Sequence, residues 1–183
     1  MTCIVGLIDC KGTIHMGGDC AGVDFSCGSI QYRKDPKVFK NGPFLIGYTS
    51  SFRMGQLLQY SFKPEPFSAK KDIDIYMRTA FIDGIRSCFE KGGFLRKDSE
   101  VQSGGIFLVG FKQRLFFIGQ DFQVGEVHHS YNAIGCGRDV ALGSLFATDY
   151  SMQVDGHTRV ERALEAAERF NCGVHKPFTI LNL

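Results

Sequence analysis

Short runs of apolar and β-branched residues dominate the first part of the chain. Residues 2–9 and 13–19 form two such runs, and the Cys10-Lys11-Gly12 segment between them is typical of a tight hairpin turn. After a loop that contains glycine and cysteine, further strands are predicted at residues 29–32, 37–39 and 43–48. We expect these strands to form an antiparallel sheet.

Helical spacing then replaces the strand pattern at residues 52–62 and 72–89. In the second of these segments Met77, Phe81 and Ile85 lie on one apolar stripe. A second group of strands is predicted at 105–112, 114–119, 123–128 and 131–134, followed by helices at 138–148 and 158–170 and a final strand at 177–181. This order predicts an α+β fold with helices packed on sheet layers, in one domain that spans residues 1–183.

Composition and charge narrow the class of protein. The chain has 183 residues, 44% of them hydrophobic, so it is long enough for a sizeable core. Its 21 basic and 19 acidic residues are spread along the sequence, which argues against a nucleic-acid or anionic-membrane surface. No apolar run reaches the roughly 20 residues of a membrane span, and the N-terminus lacks the pattern of a secretory signal. We expect a soluble, cytoplasmic protein.

Metal and cofactor sites find little support in the sequence. Seven cysteines are scattered without a Cys-x-x-Cys pair, which favours reduced thiols over disulfides or a zinc site. His128 and His129 are neighbours on a predicted strand, so their side chains should point to opposite faces. The Gly135-Cys136-Gly137 turn lacks the lysine of a phosphate-binding loop. We therefore expect no metal and no cofactor.

Thr2 is the first candidate for chemistry. It follows Met1, and removal of a methionine before a small residue would make Thr2 the N-terminus. A free N-terminal threonine carries a hydroxyl nucleophile and an amine base on one residue. The amine has an ordinary pKa of about 7.7 to 8.0, and a nearby cationic lysine would lower that pKa. A carboxylate would in turn hold the lysine in place.

The sequence contains a carboxylate and a lysine that could reach Thr2. Asp19 ends the second predicted strand, next to the start of its hairpin partner, and Lys37 opens a later short strand. Lys34 is an alternative to Lys37, and only the register of the strand decides between them.

Several motifs, taken in order, resemble the proteasome β-subunit family, and in particular the HslV-like bacterial peptidases. The motifs are Thr2-Cys3-Ile4-Val5-Gly6, Gly17-Gly18-Asp19, Lys37-Val38-Phe39, Leu45-Ile46-Gly47 and Ala133-Ile134-Gly135-Cys136-Gly137. The similarity covers nearly the whole chain. It implies a four-layer αββα sandwich of two antiparallel sheets flanked by helices, as in N-terminal nucleophile hydrolases. It also implies homo-oligomeric assembly into a ring or double ring, with a possible ATPase unfoldase as partner.

The resemblance assigns roles to five residues. Thr2 would be nucleophile and base, and Asp19 and Lys37 would tune and orient it. Lys37 is favoured over Lys34 because an apolar pair follows the catalytic lysine in the family. Gly47 would offer its backbone N–H to the oxyanion, since a residue without a side chain lets the substrate approach. Cys136 stands where the family has serine, and a thiol is the weaker donor.

The same resemblance predicts the substrate site and marks a second departure. The substrate residue before the cleaved bond would lie against the segment that follows Gly47, namely Tyr48, Thr49, Ser50 and Ser51. Glu168 and Asn171 stand where many β subunits have an aspartate and a serine that support the N-terminal amine.

Two functions of different class follow from these residues. The first is a threonine endopeptidase that hydrolyses polypeptides with Thr2 after removal of Met1. The second is a proteasome-like structural or assembly protein that retains Met1 and has lost activity. The cysteine at position 136 favours the second function, and so would a methionine that stays in front of Thr2.

Overall fold

The computed structural model describes residues 2–24, 26–149 and 154–183. In chain order the strands are β1 (Cys3–Ile8), β2 (Ile14–Gly18), β3 (Ala21–Asp24), β4 (Ser29–Tyr32), β5 (Val38–Asn41), β6 (Phe44–Tyr48), β7 (Arg96–Asp98), β8 (Val101–Ser103), β9 (Phe107–Phe111), β10 (Arg114–Ile118), β11 (Val124–Glu126), β12 (Tyr131–Gly135) and β13 (Thr179–Asn182). The helices are α1 (Phe52–Gln56), α2 (Ile73–Tyr76), α3 (Ile82–Lys91), α4 (Arg138–Ala147) and α5 (Gly156–Phe170).

Two antiparallel sheets form the centre of the molecule. The first has the strand order β12-β1-β2-β13, and the second has the order β11-β10-β9-β6-β5. Strand β1 lies inside the first sheet, and Ile4 pairs with Gly18 of β2 on one side and with Ile134 of β12 on the other. Its side chains are buried on both faces, which explains the continuous apolar run at the start of the chain.

Three apolar clusters hold four layers together. Helices α4 and α5 cover the outer face of the first sheet, and their cluster includes Val5 and Leu164. Helices α1 to α3 cover the outer face of the second sheet with an aromatic cluster that includes Phe44, Phe81 and Phe111. The third cluster fills the space between the two sheets. The αββα sandwich and the antiparallel sheets predicted from the sequence are therefore confirmed.

The segment that was expected to be a loop before residue 29 contains strand β3. It pairs with β4 in a short hairpin, with Ala21 opposite Tyr32. Strand β3 was not predicted because its glycine and aspartate are unfavourable in strands. The hairpin matters for the site, because Ala21 lies at its beginning. A second unpredicted hairpin joins β7 to β8, and its strands are largely exposed.

The two predicted helices of the middle region are interrupted by π-helical turns. One turn covers Leu57–Ser61 and follows α1, and the other covers Met77–Phe81 and joins α2 to α3. Helix α5, by contrast, is continuous, and Val160, Ala163 and Leu164 of its apolar face are fully buried. Phe170, which the sequence pattern places on the same face, is instead 76% exposed. Among the described residues, no helix is long and apolar enough to cross a bilayer.

Candidate active site

Thr2, Asp19 and Lys37 meet at one end of the two central sheets. Thr2 directly precedes β1, Asp19 directly follows β2, and Lys37 directly precedes β5. The Lys37 ammonium donates hydrogen bonds to Thr2 Oγ1 at 2.6 Å and to Asp19 Oδ2 at 2.9 Å. It also donates to the carbonyl oxygen of Ala21 at 2.5 Å. Lys34 is exposed, so the structure brings Lys37 and not Lys34 to Thr2.

Backbone donors fix the Asp19 carboxylate. Asp19 Oδ1 accepts from the N–H of Cys3 at 3.0 Å, and Oδ2 accepts from the N–H of Ala21 at 3.1 Å. The carboxylate is thus tied to the strand that begins beside Thr2 and to the β3–β4 hairpin. Its position, and with it that of Lys37, is set by the sheet rather than by a mobile side chain.

Burial changes the acidity of both charged groups. Thr2, Asp19 and Lys37 are each no more than 3% exposed. Removal from water lowers the pKa of Lys37 below its ordinary value of 10.5, and the Asp19 carboxylate opposes this shift. Removal from water raises the pKa of Asp19, and the Lys37 ammonium and two backbone donors oppose that shift. A perturbed, buried ion pair in contact with a hydroxyl is typical of a reactive centre.

Cys136 holds the main chain of Thr2. The N–H of Cys136 donates to the Thr2 carbonyl oxygen at 2.8 Å, and the Cys136 thiol donates to the same oxygen at 3.3 Å. Asn171 Nδ2 donates to the carbonyl oxygen of Cys136 at 2.8 Å. Cys136 therefore lies beside Thr2, and the Asn171 side chain holds the Cys136 carbonyl on the other side. Glu168 instead accepts from the N–H of Lys176 at 2.8 Å.

Gly47 has a different place from the one expected. It lies within β6, where an added Cβ would come within 2.5 Å of Ile4 Cγ2 and 2.8 Å of Met16 Sδ. The contact between the two sheets therefore explains why this residue has no side chain. The N–H of Tyr48 donates to the backbone carbonyl of Lys37, next to β5, and the N–H of Thr49 donates to the backbone carbonyl of Ile106, next to β9. Because N–H groups alternate along a strand, the Gly47 N–H is directed towards β9 and away from Thr2.

Ser50 is one of the predicted substrate residues, but its unusual backbone conformation was not predicted. It is the central residue of a γ-turn in which the N–H of Ser51 donates to the carbonyl of Thr49 at 2.8 Å, and its φ is +73°. This turn is rare and strained for a residue with a side chain, and such strain clusters at functional sites. A glycine at position 50 would have signalled the positive φ in the sequence.

The other predicted substrate residues flank this turn. Tyr48, Thr49, Ser50 and Ser51 line a small cavity together with Thr2 and Lys37. The cavity has a volume of about 20 Å³, which is enough for a single water molecule but not for a substrate side chain. The Tyr48 ring packs in the aromatic cluster beneath α1, and burial raises its pKa to about 12. Ser51 caps α1 by accepting from the N–H of Met54 at 3.4 Å.

No metal centre accompanies these residues. Within residues 2–24, 26–149 and 154–183, no three histidine, cysteine, aspartate or glutamate side chains come together as a metal site would require. The expectation that His128 and His129 point to opposite faces is wrong, because both lie between β11 and β12 and not on a strand. Their rings contact each other edge to face, with centroids 5.3 Å apart.

No known sequence family and no curated protein matches the chain. Solved structures, however, share its fold. Thiobacillus denitrificans BPH in complex with epoxomicin superposes with a TM-score of 0.80 at 16% identity, covering 100% of this chain and 98% of that one. HslV from Trypanosoma brucei has a TM-score of 0.68 at 15% identity, covering 99% and 98%. Anbu, an ancestral β-subunit from Yersinia bercovieri, has a TM-score of 0.62 at 13% identity, covering 100% and 81%.

Proposed function

We propose that this chain, which has the fold of HslV and of proteasome-type β-subunits, is a threonine peptidase whose nucleophile is Thr2. The contact that carries the proposal is the hydrogen bond of 2.6 Å from the Lys37 ammonium to Thr2 Oγ1, with Asp19 on the other side of the same ammonium. A hydroxyl next to a fixed cation can carry the negative charge that develops on it during attack.

The reaction needs a free Thr2 amine and therefore needs Met1 to be removed. The amine accepts the hydroxyl proton while Oγ1 bonds to the carbonyl carbon of the scissile peptide bond. When the tetrahedral intermediate collapses, the C–N bond breaks and the amine donates its proton to the leaving nitrogen. A water molecule then attacks the Thr2 ester, the same amine accepts its proton, and the acid product leaves with Thr2 restored.

Three neighbours of Thr2 have separate tasks in this scheme. The Lys37 ammonium stabilises the attacking oxygen, and the Asp19 carboxylate keeps Lys37 in place. Cys136 anchors the Thr2 carbonyl, which fixes the direction of the amine. For the oxyanion we assign the backbone N–H of Ser50 in place of that of Gly47, because the strained turn lies in the cavity beside Thr2 and the Gly47 N–H faces another strand.

A covalent label tests the proposal directly. A peptide epoxyketone bonds to both the hydroxyl and the amine of an N-terminal threonine. Labelling therefore requires both a reactive Thr2 hydroxyl and the removal of Met1. BPH, which shares the fold, was solved in complex with epoxomicin. We expect one label per processed chain by intact mass, and no label and no hydrolysis of a fluorogenic coumarin amide after Thr2→Ala. Unchanged hydrolysis by Thr2→Ala would place the active site elsewhere.

The second candidate function is an inactive structural or assembly protein that retains Met1. Cys136 favours it, because a thiol replaces the serine of related catalytic sites and is the weaker hydrogen-bond donor. The two functions differ in the mass of the protein isolated from its native host. A chain that keeps the methionine cannot present a free Thr2 amine. An intact mass that includes Met1 would therefore exclude the peptidase.

A further inference from the structure

A large groove lies beside Thr2 between the edges of the two sheets. Its volume is about 960 Å³, which is within the range of sites for sizeable ligands. Thr2, Thr49 and Ser50 form one end, and β11 and β12 form the two long walls. Most of the lining surface is apolar, and the apolar side chains in it include Ile106, Phe117, Val127, Ile134 and Leu142.

The β12 wall offers a backbone edge. The N–H of Cys136 donates to the carbonyl oxygen of Thr2, and the N–H of Ile8 donates to the carbonyl oxygen of Ser130. The even-numbered residues of β12 therefore direct their N–H and C=O groups towards β1. Odd-numbered residues therefore direct their N–H groups away from β1. The N–H of Ala133 confirms this direction, because it donates to Asn132 Oδ1 at 2.8 Å and not to a strand. An extended peptide could replace that side chain and add to the sheet.

The positions of the Thr2 amine and of Thr2 Oγ1 indicate which half of the substrate lies in this groove. The Thr2 amine must deliver its proton to the leaving nitrogen, and the Thr2 main chain is held by Cys136 at the end of β12. The acyl half is bonded to Oγ1, which faces Lys37. We propose that the groove binds the segment after the cleaved bond, extended along β12, with a preference for apolar side chains. This inference rests on the peptidase function.

Val127 is the residue best placed to contact the substrate segment that follows the cleaved bond. Its N–H bonds to the carbonyl of Leu115 at 2.9 Å, and the Leu115 side chain lies 3.0 Å from an added Cβ on Gly6. Gly6 is four residues from Thr2 along β1, which is roughly 13 Å at the usual rise of a strand. The fourth substrate residue after the cleaved bond should therefore meet Val127. The nearby Glu126 carboxylate is bound by Arg114, which neutralises its charge.

A charge exchange at position 127 tests the assignment. Internally quenched peptides differ only in leucine, lysine or aspartate at the fourth residue after the cut, and a coumarin amide has no residue there. We expect the wild-type chain to favour the leucine peptide about tenfold in kcat/KM. Val127→Asp should favour the lysine peptide and Val127→Lys the aspartate peptide, each about tenfold. The coumarin amide occupies only the end of the groove at Thr2 and does not reach Val127, so each variant's rate on it serves as the reference by which that variant's peptide rates are divided.

Val101→Asp is the matched control, because Val101 is exposed on the β8 hairpin and makes no part of the groove. It should keep the wild-type selectivity. If the charged variants do not fold, Val127→Ala should still reduce the preference for leucine. Equal selectivity in all Val127 variants would overturn the groove assignment alone. A Val127 variant with a lower solution mass than wild type but the same selectivity would also overturn it, because the groove would then bind a second copy of the chain and not the substrate. A wild-type chain that hydrolyses no coumarin amide would overturn the peptidase function and the groove with it.

Discussion

Lys37 is the residue on which the site depends most. It contacts the hydroxyl of Thr2 and the carboxylate of Asp19 from one buried ammonium group, so it links the proposed nucleophile to the end of strand β2. Removal of the charge would leave the Asp19 carboxylate buried without its cation, which is costly. A lysine so placed affects both the reactivity of Thr2 and the order of the groups around it.

A matched pair of lysine variants separates this role from general charge effects. Lys37→Met should lower kcat/KM for a coumarin amide by about 100-fold to 1000-fold, because the developing charge on Thr2 loses its cation. Lys34→Met removes the same charge from an exposed residue three positions earlier, and its rate should stay within about twofold of wild type. If Lys34→Met caused the larger loss, the assignment of Lys37 would be wrong.

The pH profile follows from the same groups. The Thr2 amine must be neutral to act as a base, so kcat/KM should rise with pH up to about 8 or somewhat below. Lys37 must keep its proton, and burial lowers its pKa below 10.5, so the rate should fall again before pH 10.5 is reached. The measurement is kcat/KM for a coumarin amide across this range, with circular dichroism as the control for folding. A rate that stays constant beyond pH 10.5 would contradict a cationic role for Lys37.

At the scale of elements, the close contact between the two sheets depends on Gly47. Gly47→Ala would place a Cβ 2.5 Å from Ile4 Cγ2, so either Ile4 or strand β6 must move. We expect the free energy of unfolding to fall by about 1 to 3 kcal/mol. Gly143→Ala in α4 is the control, because an added Cβ there meets no atom within 4 Å. It should raise the free energy of unfolding by about 0.5 to 1 kcal/mol. Urea denaturation measures both, and a neutral Gly47→Ala would show that the sheets have room to separate.

The layers could be predicted because they leave strong sequence patterns. Strand β1 is buried on both faces and is therefore a continuous apolar run. Asp19 and Lys37 have no such pattern of their own: the resemblance to the proteasome β-subunit family singled them out, and the residues alone left Lys34 and Lys37 open. The β3 strand and the γ-turn at Ser50 could not be predicted, because tertiary contacts override weak local preferences there. The direction of the Gly47 N–H depends on the register of β6 between two neighbours, and a register of this kind is fixed only by the pairing of all three strands.

At the scale of the whole molecule, large apolar side chains remain exposed on both outer helix layers. Tyr60 and Ile75 lie on the layer that contains α1 to α3, and Phe146 and Phe170 lie on the layer of α4 and α5, each at least 65% exposed. Contacts with further copies of the chain would remove these side chains from water. The resemblance to the proteasome β-subunit family implies a ring, and we propose that these side chains lie in its contacts between subunits.

Light scattering at micromolar concentration tests the assembly. We expect a solution mass many times the 20.4 kDa of one chain, and the same mass for Thr2→Ala, since Thr2 is buried at the end of the sheets and lies on neither outer helix layer. Because apolar contacts are not screened by salt, the mass should persist in about 1 M sodium chloride, where the Debye length is only about 3 Å. A mass that falls with salt would indicate assembly through charged surfaces instead. A monomer under both conditions would leave Thr2 without an enclosing chamber, and access of folded proteins to the site would then have to be limited by the groove alone.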